Sequence, residues 1–176
     1  GIHITKGKLR GVPSNGMLCG LYELGLDERD FPYAAITAAA ILEADWRPAS
    51  MDYHTLMKLT RILSRSNAAD TEQMFRRMCF NVFAHNRDDH AKNFSWLYDP
   101  KNDCWHPSPA YDLTWSATYW GEHTTTEDGN GRDPGMKELL AVGKAAGMQQ
   151  KLCRLIAEEI HGKTAYLVAK YRDSKS

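Results

Sequence analysis

The spacing of apolar residues predicts a chain that is mainly helical. Residues 1–33 are rich in glycine and other turn formers, so short strands or loops are expected there. Beyond them, apolar residues predict helices over 34–44, 53–63 and 74–83, the first from its alanine-rich composition and the others from helical spacing. The third is the most clearly amphipathic, and it leads directly into the polar stretch 85–93.

Capping and helix-breaking residues predict where the helices begin and end. Ser50 is the expected N-cap of the helix over 53–63, with Asp70 opening a capping box ahead of the next helix. Asp133, followed by proline, is the expected start of a further helix that ends at Gly147. Apolar residues between 148 and 167 predict one more long helix before a fraying basic tail.

Strand-like and turn-like residues follow the polar stretch. Residues 94–98 are predicted to form a strand, 99–103 a turn and 104–106 a returning strand. This hairpin is expected to bring Asp112 beside the polar stretch. Residues 121–133 are polar and glycine-rich, which predicts a mobile, solvated connector.

Composition narrows the class of protein. The 176 residues carry 22 basic and 22 acidic side chains, so the net charge of zero predicts neither membrane attraction nor direct nucleic-acid binding. No apolar run approaches the roughly 18 residues that a membrane helix requires. The four cysteines are far apart and form no C-x-x-C pair, which indicates reduced thiols and a cytoplasmic protein: Cys19, Cys79, Cys104 and Cys153.

The polar stretch 85–93 carries the candidate chemistry. Asp88 and Asn93 lie five residues apart, and Asp112 follows the hairpin. Phosphoryl transfer from ATP uses an acid that orients the acceptor hydroxyl, together with carboxylate or amide oxygens that hold magnesium. These three residues supply the required groups.

Several linked motifs resemble the C-terminal lobe of the HipA-like serine/threonine kinases. They are Phe80-Asn81-Val82, Asn86 to Ser95 with its N-x-D-x-H-x-K-N pattern, Trp105, and Pro109-Ala110-Tyr111-Asp112-Leu113. The resemblance runs from about Thr37 to near the end of the chain. A shorter D-x-H-x-x-N pattern is shared with lipid kinases of the phosphatidylinositol 3-kinase type.

This resemblance implies a fold, cofactors and roles for named residues. The fold is a helical protein-kinase-like C-lobe with a small β-hairpin after the catalytic loop, and the cofactors are ATP and Mg²⁺. Asp88 is implied as the catalytic base, while Asn93 and Asp112 bind the metal. His90 and Lys92 shape the loop or contact phosphate, which makes Lys92 a cofactor-binding candidate as well.

The family also implies partners. Its members are toxins of toxin–antitoxin systems, so a protein substrate such as an aminoacyl-tRNA synthetase and a DNA-binding antitoxin are expected.

The first 33 residues resemble a different family. The sequence from Lys6 to Leu26 is similar to a stretch of the tRNA-binding-type domain in the phenylalanyl-tRNA synthetase β chain. We therefore divide the chain into a lead-in over 1–33 and a kinase lobe over 34–176. No G-x-G-x-x-G phosphate loop is present, so the chain is expected to phosphorylate poorly without a separate N-lobe.

Two other functions remain open from the residues. A metal-dependent phosphoesterase would use His85, Asp88, Asp89, His90 and Asp112 as ligands. A kinase-derived binding module would catalyse nothing. Asp89 is expected to be structural, and His85, His106 and His123 are interpreted as structural or surface groups.

Overall fold

The computed structural model describes residues 35–42, 51–113 and 122–173, with side chains up to residue 166. The secondary-structure elements, in chain order, are β1 (Ala35–Thr37), α1 (Ala38–Ile41), β2 (Met51–Asp52), α2 (Tyr53–Leu63), α3 (Ala68–Phe83), a 3₁₀ turn (Ala91–Asn93), β3 (Ser95–Asp99), β4 (Cys104–Pro107), β5 (Thr125–Thr126), α4 (Met136–Ala145) and α5 (Gln150–Asp173). The prediction of a mainly α fold with a small hairpin is confirmed. The proposed boundary at residue 33 lies outside the described residues and stays a prediction.

Helix α3 is the centre of the hydrophobic core. It packs against α2 on one side and α5 on the other, and α4 packs on α5. Its buried apolar side chains are Met74, Phe75, Met78, Cys79 and Val82, as the helical spacing predicted. Complete burial of such a side chain contributes about 1.5–3 kcal/mol. Among the described helices, including the 24 residues of α5, none is long and apolar enough to cross a membrane.

The predicted hairpin forms and extends into a three-stranded antiparallel sheet. Strands β3 and β4 pair with Asp99 opposite Cys104, and β1 pairs with the other edge of β3. The buried hydroxyls of Ser95 and Ser108 lie 2.8 Å apart at the base of the hairpin. The hairpin therefore returns the chain towards the polar stretch, as expected.

The predicted helix over 34–44 is only partly present among its described residues, 35–42. Residues 35–37 form β1, with Ala35 opposite Leu97, and only four residues continue as α1. Thr37 caps this short helix, and the Ala38 amide donates to the Phe94 carbonyl at 2.8 Å. Pairing with β3 therefore outweighs the helix propensity of alanine.

Three helices have other N-caps than predicted, although α2 begins at Tyr53 as expected. Asp52, rather than Ser50, is the N-cap of α2, where its carboxylate accepts from the His54 amide. Asn67 caps α3, which places Asp70 in the first turn. Helix α4 has Gly135 as its N-cap, two residues after the aspartate expected there.

The segment 122–133 is anchored to the protein, contrary to the prediction of a mobile connector. Strand β5 pairs in parallel with β2, with Met51 opposite Thr125. His123, Thr125 and Glu127 are all buried. Their contacts with the polar stretch 85–93 could not be anticipated from polarity alone. This stretch is called here the catalytic loop, after the role that the sequence resemblance implies.

Candidate functional site

The end of α3 sets the direction of the catalytic loop. The helix ends at Phe83, and His85 adopts a left-handed backbone conformation with φ of 54°. This conformation is uncommon outside glycine, although histidine is among the residues enriched there. The Asn86 amide then donates to the Asn81 carbonyl at 2.9 Å. The turn therefore delivers the loop from a firmly packed helix.

A buried chain of side-chain hydrogen bonds connects the loop to helices α2 and α3. Asn86 Nδ2 donates to Asn81 Oδ1 at 3.0 Å, and Asn81 Nδ2 donates to the Tyr53 hydroxyl at 2.8 Å. Tyr53 in turn donates to Asp89 Oδ2 at 3.0 Å. Burial, together with the charge of Asp89, raises the pKa of Tyr53 well above its ordinary value, so the phenol remains a donor.

The segment 122–133 holds the loop from another side. The amides of Thr124 and Thr125 each donate to Asp89 Oδ1 at 3.1 Å. The Thr124 amide and hydroxyl also lie 3.1 Å from the Arg87 carbonyl, and the Thr125 hydroxyl donates to the Asp89 carbonyl. Asp89 is therefore a buried structural residue, as interpreted from the sequence.

Asp88, His90 and Asn93 lie together on the loop. The Asp88 side chain is exposed, with His90 Nε2 3.9 Å from its Oδ1. Asn93 Nδ2 donates to the Asp88 carbonyl at 2.8 Å, so its Oδ1 is the atom that can bind a cation. The loop thus directs Asp88 to solvent and its neighbour Asp89 inward.

The segment carrying Asp112 lies against the same loop. The buried Tyr111 donates its hydroxyl to the Lys92 carbonyl at 2.6 Å, and Asp112 follows with an exposed side chain and φ of 52°. Lys92 is also exposed. Oxygens from an asparagine and an aspartate suit magnesium, so Asn93 and Asp112 fit this ion chemically.

A small cavity lies beneath the loop. Its lining includes Arg77, Asn81, Asn86, Asp89, Asn93 and Tyr111. Burial of the Arg77 guanidinium lowers its pKa to about 10. Polar groups from α3, the loop and the segment before Asp112 therefore converge at one place.

The ligand set proposed for a phosphoesterase is not brought together. Within the described ranges, three-residue clusters of possible metal ligands occur at Asp99, Cys104 and His106, and at Asp89, His123 and Glu127. Neither cluster includes Asp88, His90 or Asp112. Since Asp89 faces inward, it cannot share a metal with the exposed Asp88 without rearrangement of the loop.

The residues that hold the loop are not among those predicted from the sequence to belong to the site. The helical spacing assigns Tyr53 to an apolar stripe, and polarity assigns the threonines at 124 and 125 to a solvated connector. Asn81 offered a signal, because it is a polar residue on the buried face of α3 between Met78 and Val82. A buried amide requires a hydrogen-bond partner, but its identity depends on the tertiary fold.

Two phenylalanine–tRNA ligase β subunits share short regions with the chain. That of Lactiplantibacillus plantarum is 53% identical over 45 residues, which covers 26% of this chain and 6% of that protein. That of Lactobacillus johnsonii is 38% identical over 76 residues, covering 40% and 10% respectively. The resemblance to this synthetase is confirmed, although the chain spans only a small part of these relatives' length.

The fold is similar to that of a solved toxin–antitoxin protein. A chain in the Shewanella oneidensis complex of HipA, HipB and operator DNA matches with a TM-score of 0.63 and 18% identity, covering 78% of this chain and 37% of that one. At this identity the match shows the fold alone. The sequence of the chain matches the family model of the HipA-like C-terminal domain over residues 28–166. The chain therefore belongs to the HipA-like C-terminal domain family.

Proposed function

We propose that the chain is the catalytic lobe of a HipA-type serine/threonine kinase, which transfers a phosphoryl group from ATP to a protein hydroxyl. The observation that carries this proposal is the presentation of Asp88. It lies exposed on a loop whose neighbouring residue, Asp89, is held by Tyr53 and by two threonine amides. Positioning of this kind is the main catalytic contribution of a kinase site.

Each predicted site residue has a role in this proposal. Asp88 orients the acceptor hydroxyl and takes its proton, and His90 lies beside it, with Nε2 3.9 Å from Asp88 Oδ1. Asn93 Oδ1 and Asp112 would hold Mg²⁺, which supplies neutralisation of the phosphate charge when bound. Lys92 is placed on the exposed side of the 3₁₀ turn, where a cation can contact phosphate.

The remaining phosphate contacts must come from other groups. The 176 residues contain no G-x-G-x-x-G motif, so we propose that transfer by this chain alone is slow. A protein substrate, such as an aminoacyl-tRNA synthetase, and a DNA-binding antitoxin are the partners that the family suggests. The structural relative was solved with HipB and operator DNA, which supports the second of these.

Nucleotide binding and phosphorylation test the proposal together. In NMR spectra, ATP should shift the Asn93 and Asp112 amides only when Mg²⁺ is present, and Asp112→Asn should weaken that response. Any phosphorylation that the chain performs should fall by about 100-fold or more in Asp88→Asn. Asp128→Asn, an exposed change outside the loop, is the matched control.

Two outcomes would contradict this function. One is the absence of a magnesium-dependent response at Asn93 and Asp112 at millimolar nucleotide. The other is phosphorylation that persists in Asp88→Asn. Unchanged biological activity after replacement of both Asp88 and Asp112 would indicate a binding module that catalyses nothing.

A further inference from the structure

A second group of chemically active side chains lies buried behind the catalytic loop. His123 Nδ1 is 3.4 Å from Asp89 Oδ2 and 3.9 Å from Glu127 Oε1. The exposed fractions of Asp89, His123 and Glu127 are 1%, 7% and 0%. One ligand atom from each residue lies within 4.8 Å of the others, so a single ion could contact all three.

Glu127 has unmet bonding capacity in this cluster. Both of its carboxylate oxygens are buried, and neither accepts a hydrogen bond from any residue that the structure describes. Burial raises the pKa of this carboxyl to about 10, and the negative charges of Asp89 and Asp52 contribute to the rise. A buried carboxylate in such surroundings requires either a proton or a cation.

The observed spacing fits a tetrahedral cation bound by nitrogen and oxygen. Bonds of about 2.0–2.2 Å place neighbouring tetrahedral ligand atoms roughly 3.3–3.6 Å apart. The 3.4 Å between His123 Nδ1 and Asp89 Oδ2 lies within this range. The 3.9 Å between His123 Nδ1 and Glu127 Oε1 exceeds it slightly, so Glu127 would move a short distance towards the ion. Magnesium prefers an all-oxygen octahedral shell, whereas imidazole with carboxylates suits zinc and similar ions. Two carboxylates would also neutralise a divalent charge.

We propose that Asp89, His123 and Glu127 form a binding site for a divalent transition metal of the zinc class. Such an ion would join the segment 122–133 to the catalytic loop through side chains from both. Asp89 is already oriented for this role, because the Thr124 and Thr125 amides hold its Oδ1 while Oδ2 faces His123. Outer contacts of this kind are typical around metal ligands. The proposal does not depend on phosphoryl transfer.

The test must separate this site from the second cluster of possible ligands. His106 Nε2 lies 3.5 Å from Cys104 Sγ and 3.6 Å from Asp99 Oδ2, so zinc could bind there as well. All measurements are therefore made on the full chain in a Cys104→Ser background. Cobalt(II) provides a further check, because thiolate-to-cobalt absorption would reveal binding by a cysteine.

Metal content and thermal unfolding are measured after treatment with chelator and return of zinc. The Cys104→Ser chain should retain roughly one zinc ion after dialysis, and its unfolding temperature should rise by about 5–10 °C at free zinc near 100 times Kd. Adding Glu127→Gln should abolish both effects. Glutamine resembles protonated glutamic acid in shape and charge, so this variant should fold without metal.

Asp128→Asn is the control, since Asp128 is exposed and contacts His54 outside the cluster. It should retain zinc.

The proposal is overturned if the Cys104→Ser chain binds no zinc, or if Glu127→Gln retains it. In the first case Glu127 is protonated and binds no metal. In the second case the zinc binds elsewhere in the chain. Should Glu127→Gln fail to fold, the cobalt spectrum of the Cys104→Ser chain decides: a tetrahedral spectrum without thiolate absorption supports the site, and its absence contradicts it.

Discussion

At the scale of single residues, one hydroxyl connects the core to the catalytic loop. Tyr53 Oη accepts from Asn81 on α3 and donates to Asp89 on the loop. The three side chains lie in three different parts of the chain, and all are buried. Since Asp88 directly precedes Asp89 in the chain, the phenol of Tyr53 helps to set the position of the proposed catalytic base.

Removal of this hydroxyl should destabilise the protein. Tyr53→Phe leaves the buried Asn81 amide without its acceptor and removes one of the two contacts of Asp89 Oδ2, whose other partner is His123. The expected cost is about 1–3 kcal/mol in the free energy of unfolding. Urea denaturation measures the loss. Tyr98→Phe is the matched control, because its hydroxyl also donates to a carboxylate, Asp103, but at an exposed position. Equal losses in the two variants would contradict the importance of the buried chain.

At the scale of elements, Gly143 permits close packing of three helices. It lies in α4, where a Cβ would meet Cys153 Sγ on α5 at 2.5 Å and Phe75 Cε2 on α3 at 2.8 Å. Both neighbours belong to the hydrophobic core. The space beside the glycine is therefore already filled by side chains from two other helices.

Gly143→Ala should consequently lower stability despite the better helix propensity of alanine. Overpacking in a dense core costs about 1–3 kcal/mol. Gly162→Ala provides the comparison: it lies in α5, where a Cβ would meet no described atom within 4 Å, so alanine there should gain about 0.5–1 kcal/mol. Thermal denaturation of both variants measures the difference, and a stabilised Gly143→Ala would show that α4 can move away.

Local patterns predicted the elements that depend on local forces. The amphipathic spacing of α3 and the turn residues of the hairpin each specify one structure. Gly147, with φ of 80°, follows α4 in the left-handed conformation that commonly ends a helix. Residues 35–37 became a strand because β3 offers an edge for pairing, which is a contact over about sixty residues of sequence. No local signal carries such a contact.

At the scale of the whole molecule, the site combines features that follow from the local sequence with features that depend on long-range contacts. Only the former could be predicted. The grouping of Asp88, His90 and Asn93 follows from their closeness in sequence, and the hairpin explains the approach of Asp112. The support by Tyr53 and Thr125 could not be predicted, because these residues lie 36 positions on either side of Asp89. Burial of one aspartate and exposure of its neighbour is decided by those distant contacts.

The acid stability of the folded chain should depend on the ion pairs that join α3 to α5. Glu159 on α5 contacts Arg76 of α3 at 3.0 Å and also Lys163. Hydrogen bonds from Lys163 and Arg76 lower the pKa of Glu159 from 4.5 to about 2. A carboxyl with a lowered folded-state pKa stabilises the folded chain above the unfolded value, and this contribution disappears as the pH falls towards 2.

Comparison of Glu159→Gln with the unaltered chain tests this expectation. Urea midpoints at low salt should differ at pH 6, and the difference should shrink between about pH 4.5 and 2, because protonation of Glu159 removes the same charge as the substitution. Glu158→Gln, a change at the adjacent exposed glutamate, is the control. A difference that stays constant down to pH 2 would mean that Glu159 acts through packing or hydrogen bonding and not through its charge.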